Sequence, residues 1–235
     1  MNKHFGTMVF LSPLLALLGS SASAQTWDLA ADYNPPANPN GPWSYGQING
    51  GVFSTLPWTP LSGYPNLNGI YGTSGAFVYQ NIAAYPAYGI NPGQISLESD
   101  YGNAAVQWTA PATGEYEITA AIGGTTVSEN GGFGNNFAQF AGLNINGVSQ
   151  PDNSFADNVM SWDITDLSLT DGETVDAFVL NPGYAFGGNT ETELTINEVP
   201  TTTPEPSALL GGAAILVILA SGTRARKCRS SHKTA

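Results

Sequence analysis

Between Gln25 and Val199 apolar and polar residues alternate over short runs, and Gly, Pro, Asn, Ser or Thr interrupts them every few positions. Helical periodicity is almost absent there. Runs of period two bounded by turn residues predict strands, and many of them at similar spacing predict an all-β sandwich or barrel. In AAVQWTAP, Val106 and Trp108 share one side while Gln107 and Thr109 take the other. In GEYEITAA, Tyr116, Ile118 and Ala120 oppose Glu115, Glu117 and Thr119. The stretch APATG between these runs predicts that they form an antiparallel hairpin.

Further strands are expected at FAGLNI, burying Leu143 and Ile145, and at MSWDIT, burying Trp162 and Ile164. ETVDAFVL should bury Val175, Ala177 and Val179, and TELTINEV Leu194 and Ile196. Asn146-Gly147 and Asp171-Gly172 are dipeptides that tolerate the positive φ of tight turns. One buried face and one wet face is the antiparallel arrangement, so the expected class is an antiparallel β-sandwich.

The β-sandwich domain spans residues 25–198 on this reading, with regular strands over 88–198. Residues 25–87 are richer in Gly and Pro, and they read as irregular β structure wrapped on the sandwich. Within them WDLAAD, WSYGQI and AFVYQNI can each supply a strand.

Both ends depart from this pattern. Lys3 and His4, an apolar run from Met8 to Leu18, and then Ala22, Ser23 and Ala24 make a secretory signal peptide over 1–24. Cleavage after Ala24 leaves Gln25 first. No cysteine follows that site, so a lipoprotein anchor is not expected. At the other end residues 199–206, containing PTTTPEP, form an extended Pro/Thr stalk.

A single transmembrane helix is expected over 207–223. The 16 residues from Ser207 to Gly222 carry no charge, and at about 1.5 Å each they span roughly 24 Å against a bilayer core of about 30 Å. Such a span is marginal and needs snorkelling flanks or local thinning. A core-packed helix would instead show a polar face, which this stretch lacks. Arg224, Arg226, Lys227 and Arg229 open a basic tail over 224–235 that stops transfer and stays in the cytoplasm.

Removing the ends changes the charge balance. All 18 acidic side chains and none of the Lys, Arg or His lie between Gln25 and Pro206, a net charge of −18 there against −12 for the whole chain. That absence excludes phosphate clamps, nucleic-acid grooves and Ser-His-Asp or Cys-His catalysis. The only cysteine, Cys228, sits in the tail, so burial alone must hold the domain together.

The end of the chain resembles a known signal. Pro204-Glu205-Pro206, followed at once by an apolar segment and a terminal basic cluster, resembles the PEP-CTERM sorting signal of bacterial exosortase substrates. The resemblance implies export from a Gram-negative-type bacterium and transient anchoring in the inner membrane. An exosortase, a membrane protease or transpeptidase, would then cleave near the motif, leaving a cell-surface or extracellular product. Such tails also go by an ice-binding-protein C-terminal label, which describes the tail and not an activity. The middle, from GINPGQISLES through AAVQWTAPATGEYEITAAIGG to LSLTDGETVDAFVLNPG, resembles jelly-roll domains related in shape to carbohydrate-binding modules. There a basic residue often precedes the tryptophan, where this chain has Gln107.

Four kinds of candidate site remain. Aromatic residues crowd the first half, and exposed rings stack on sugar faces; Trp43, Tyr45 and Trp58 are the candidate glycan contacts, with Tyr64, Tyr71, Tyr79, Tyr85 and Tyr88 nearby. The bland reading makes most of these rings part of the sandwich covering, and Trp108 and Trp162 are assigned to the core. The loop DNSFADN offers Asp152 and Asp157, with Asn153 and Asn158, as oxygen ligands for calcium, without EF-hand spacing. No other cofactor is expected.

Carboxylate pairs suggest a glycosidase, but Glu115 and Glu117 oppose an apolar face and should look into water, where no pKa moves. The same holds for Glu98 and Asp100. A threonine ice-binding array would need a regularity that GGTTVSENGG and NTETELTI lack. The sequence therefore points to a non-catalytic surface or matrix protein in contact with extracellular polysaccharide. A dedicated carbohydrate-binding module is the alternative, ahead of a glycan hydrolase or an ice-binding protein.

Overall fold

The computed structural model describes residues 24–57, 59–61, 63–123, 140–152, 154–156, 159–181 and 188–200, with the backbone alone at 154–156. They belong to one compact unit, Ala24–Pro200. Among the described residues no helix is long and apolar enough to cross a membrane. The segment expected to be a signal peptide up to Ser23, the expected stalk beyond Pro200, the apolar segment and the basic tail lie outside the described residues, while Val199, expected to open the stalk, is the last residue of a strand.

Two antiparallel sheets pack face to face, as the alternation predicts. In chain order the strands are β1 (Thr26–Asp28), β2 (Trp43–Asn49), β3 (Val52–Thr55), β4 (Leu67–Tyr71), β5 (Ala76–Asn81), β6 (Ile95–Ser99) and β7 (Ala104–Thr109). They continue as β8 (Gly114–Gly123), β9 (Ala141–Ile145), β10 (Val148–Gln150), β11 (Ser154–Ala156), β12 (Val159–Leu169), β13 (Thr174–Val179) and β14 (Thr190–Val199). The larger sheet runs β11-β12-β8-β14-β6-β5-β4, with β1 also paired to β14, and the smaller runs β10-β9-β13-β7-β2-β3.

Residues assigned inward by alternation are inward. Leu143, Trp162, Val175, Ala177, Val179, Leu194 and Ile196 join one apolar cluster between the sheets, and Ile164 packs against it from a half-buried position. Trp108 stands edge-on to Trp27 at 5.2 Å and to Tyr116 at 5.3 Å, a geometry in which ring edges meet ring faces favourably. Asn146 and Gly147, both at positive φ, turn β9 into β10.

Two expectations about strand placement need correction. The runs on either side of APATG are not a hairpin, because β7 pairs with β2 and β13 in the smaller sheet while β8 pairs with β12 and β14 in the larger. The chain crosses the sandwich there, and the Tyr116 hydroxyl donates to Ala112 O at 2.8 Å to fix the crossing. Trp108 and Tyr116 thus meet across the core instead of along one face.

The first part of the domain is likewise more than a wrapping. It supplies β1 to β5, and β2 lies inside the smaller sheet between β7 and β3. WDLAAD divides into β1 and a single helical turn, α1 (Leu29–Asp32). Asp28 causes the change by capping, since its Oδ1 accepts from Ala30 N at 2.9 Å and Ala31 N at 3.0 Å.

Candidate functional site

The outward face of the larger sheet carries the aromatic surface. Register sets Tyr71, Phe77 and Glu98 side by side on β4, β5 and β6, and in the next row Gly69, Tyr79, Ser96 and Glu191 on β4, β5, β6 and β14. The rings of Tyr71 and Phe77 lie 4.7 Å apart. Gly69 is required here, because a Cβ at that position would collide with the Cβ of Tyr79 and the backbone of β5.

Buried amides hold the connection between β5 and β6 against this face. Asn81 Nδ2 donates to Tyr85 O at 3.0 Å and to Ile90 O at 2.8 Å. The Tyr79 hydroxyl donates to Asn189 Oδ1 at 2.8 Å, and Asn189 Nδ2 donates to Tyr88 O at 3.0 Å. Tyr88 sits at φ 54°, a conformation that costs a non-glycine residue about 1 kcal/mol or more and persists only where the surroundings impose it.

The result is a set of presented rings. Tyr64 is 45 % exposed, Tyr85 57 %, Tyr88 40 % and Tyr71 38 %. Tyr64 meets Tyr88 edge-on at 5.8 Å, and Asn66 Nδ2 donates to the Tyr85 hydroxyl at 2.9 Å. Large rings fixed in place with wet edges lose little entropy on contact with a ligand.

Glu98 adds a half-buried acid beside them. Burial first, then the neighbouring Asp100 charge and a hydrogen bond to it, push the Glu98 carboxyl up to about 8. The expectation that the Glu98 carboxyl keeps its ordinary acidity is therefore not met. It fails because Glu98 occupies a partly covered position of an outward face, which alternation alone cannot distinguish from an open one. Burial also raises Tyr79 well above the ordinary tyrosine value, with Glu98 as the next cause, and raises Tyr88, with Tyr64 and then Glu98 following.

Other predicted site residues lie elsewhere. Trp43 and Tyr45 are 1 % and 0 % exposed, so neither presents a face to a glycan, contrary to expectation. Their partners show why: Trp43 Nε1 donates to Asp32 Oδ2 at 3.0 Å, and the Tyr45 ring packs on Tyr33 at 4.7 Å. Tyr79 is buried as well. Trp58 lies outside the described residues.

Glu115 and Glu117 fall on the outward face of β8, where Glu115 accepts from Ser168 Oγ at 2.5 Å. Asp152 is exposed, Asp157 lies outside the described residues, and no group of three or more His, Cys, Asp or Glu gathers among the described residues. Ala24 and Gln25 open the described chain, with Gln25 O accepting from Glu198 N at 2.8 Å. Ala22, Pro204, Glu205, Pro206, Arg224, Arg226, Lys227 and Arg229 are outside the described residues.

No protein-family model and no curated protein matches the chain. Among solved structures it is similar to the GH26-CBM35 β-(1,4)-mannanase of Podospora anserina, at 10 % identity and a TM-score of 0.25, over 69 % of this chain and 29 % of that one. It is also similar to an exo-β-1,3-galactanase of Phanerochaete chrysosporium with galactose, at 16 % identity and a TM-score of 0.21, over 66 % of this chain and 32 % of that one. The chain thus spans about three tenths of the length of each.

Proposed function

We propose that this chain is an exported, non-catalytic cell-surface or extracellular-matrix protein that contacts polysaccharide through the tyrosine face of its larger sheet. The observation that carries the reading is the set Tyr64, Tyr71, Tyr85 and Tyr88, exposed together above strands that buried amides brace. Flat rings with wet hydroxyl edges suit the apolar faces and rim hydroxyls of sugars. A domain with 18 acidic and no basic side chains between Gln25 and Pro206 favours a neutral glycan over an anionic one. The winding of the chain between sheets supports a jelly-roll-like sandwich, and the tail supports sorting by an exosortase through Pro204, Glu205 and Pro206.

The absence of catalysis has a geometric argument. A glycosidase needs carboxyl groups roughly 5 to 10 Å apart with the sugar between them. Glu98 is hydrogen-bonded directly to Asp100, which leaves no such gap, and Glu115 is engaged by Ser168.

The full chain, purified in detergent, should be retained saturably by at least one neutral polysaccharide in a panel of galactomannan, xyloglucan and laminarin, and released no faster by EDTA. It should liberate no reducing sugar. Failure of all three to retain it would overturn the glycan reading, and reducing-sugar release abolished by Glu98→Gln or Glu115→Gln would overturn the non-catalytic one.

A further inference from the structure

One edge of the smaller sheet is open. β3 ends that sheet and, among the described residues, pairs with β2 alone. Register decides which of its backbone groups are used. Ile48 N donates to Asn103 O at 3.0 Å and Ile48 O accepts from Asn103 Nδ2 at 2.9 Å, so Ile48 is turned away from β3. Phe53, opposite Ile48, is therefore turned away from β2, and so is Thr55 two residues on. Leu56 N, of the other parity, donates to Tyr45 O at 3.1 Å on the β2 side. The N–H and C=O groups of Phe53 and Thr55 thus point out of the sheet, and among the described residues they have no partner.

Nothing screens this edge. Val52 is 70 % exposed, and Ser54 and Thr55 are exposed with it. Sheet edges are commonly guarded by charge, proline or a bulge. β3 has no charge and no proline, and its register with β2 runs unbroken from Thr55 to Val52. Two other edges are guarded: Pro60 bridges to Ile70 on β4, and on β10 Gln150 O accepts from Trp162 Nε1 at 3.3 Å. Charge points the same way. Tyr33 to Leu97, which includes β2 to β5, contains no Asp, Glu, Lys, Arg or His, although Gln25 to Pro206 holds 18 acidic side chains and no basic one.

We propose that β3 pairs with β3 of a second copy, antiparallel about a two-fold axis at Ser54, joining two smaller sheets into one. That axis sets Phe53 opposite Thr55 of the other copy. Both point outward, so each exchanges its N–H and C=O with the other, and every free backbone group of the edge is used. Neighbouring registers fail. An axis at Thr55 sets Phe53 against Pro57, which has no N–H to give, and an axis at Phe53 sets Thr55 against Gly51, held at φ 81° in the turn. The Ser54 register also lays an aromatic ring beside a β-branched side chain, a favourable cross-strand pair.

A second copy is the partner that the charge pattern selects. Two acidic domains repel least where neither carries a carboxylate, whereas a basic partner is drawn to the acidic strands instead. The two-fold contact consumes the edge, so association stops at the dimer.

The test is crosslinking of the full-length chain in detergent, with Cys228→Ser removing its only cysteine. Opposed residues of a non-hydrogen-bonded antiparallel pair have Cα atoms about 4.5 Å apart, within disulfide reach. Under copper-catalysed air oxidation Ser54→Cys should give a linked dimer at least about tenfold faster than Val52→Cys, whose two copies lie four residues out of register, about 13 Å apart along the strands. Adding Thr55→Pro, which removes an outward N–H that no bond within the domain uses, should slow the Ser54 link by a similar factor. Should that change unfold the domain, Thr55→Lys at the same exposed position decides, at an unchanged urea midpoint. Equal rates for the two cysteines, no Ser54 link, a link that neither Thr55 change slows, or species larger than a dimer in sedimentation would each overturn the proposal. All of these leave the tyrosine-face reading standing.

Discussion

Glu98 shows what a single covered carboxyl does to the pH response of the fold. Its acidity is set at about 8 in the folded chain against an ordinary value of 4.5, so between those limits the folded state holds a proton that the unfolded state has lost. The stabilisation is complete below about 4.5 and disappears as pH rises through about 8, at up to about 1.4 kcal/mol per pH unit. Asp176 and Glu191 are shifted in the same direction by burial. Urea midpoints measured from pH 5 to 8.5 should therefore fall with pH, and Glu98→Gln should flatten the slope; an equal slope in that variant contradicts the burial of Glu98. Residue types alone had made Trp43 and Tyr45 candidates for glycan contact, yet they sit in the core, while Tyr64, Tyr85 and Tyr88 are exposed. The difference arises because β2 alternates Trp43 and Tyr45 with Ser44 and Gly46, a pattern visible in the sequence but readable only once a second sheet is known to cover it.

At the scale of elements, close cross-strand packing depends on glycines. Gly46→Ala places a methyl against Ser54 O and the Phe53 ring, and Gly142→Ala places one against the Phe178 ring. Overpacking of this kind costs about 1–3 kcal/mol. Gly46→Ala should fall at the upper end, because a backbone oxygen cannot move aside as a ring can, and Phe178→Leu should rescue Gly142→Ala alone. Equal losses with no rescue, read from urea denaturation, would contradict the register of β2, β3, β9 and β13. Period-two alternation made most strands legible, down to the inward residues of β13 and β14. It did not reveal that β7 and β8 belong to different sheets, since a hairpin and a crossing keep the same alternation. Nor did it reveal α1, whose single turn depends on the Asp28 cap more than on any periodicity. The amide of Asn189, which holds Tyr79 and Tyr88, joins residues 101 and 110 positions apart, and no local pattern records such pairings.

At the scale of the whole molecule, one acidic sandwich without a positive side chain of its own is joined in sequence to a tail that holds nearly all the basic ones. The tail's proposed role predicts that Glu205→Ala, or loss of the host's exosortase, leaves a full-length precursor in the inner membrane and reduces the released form; unchanged processing would make the tail an anchor only. The domain's proposed role is contact with a neutral polysaccharide. Its most direct test is the equilibrium affinity of the full chain for whichever neutral polysaccharide retains it, compared with that of Tyr64→Ala/Tyr88→Ala. The account predicts that the double variant binds at least tenfold more weakly at an unchanged melting temperature, because each stacked ring contributes on the order of 1 kcal/mol. Equal affinity in the two proteins would contradict it.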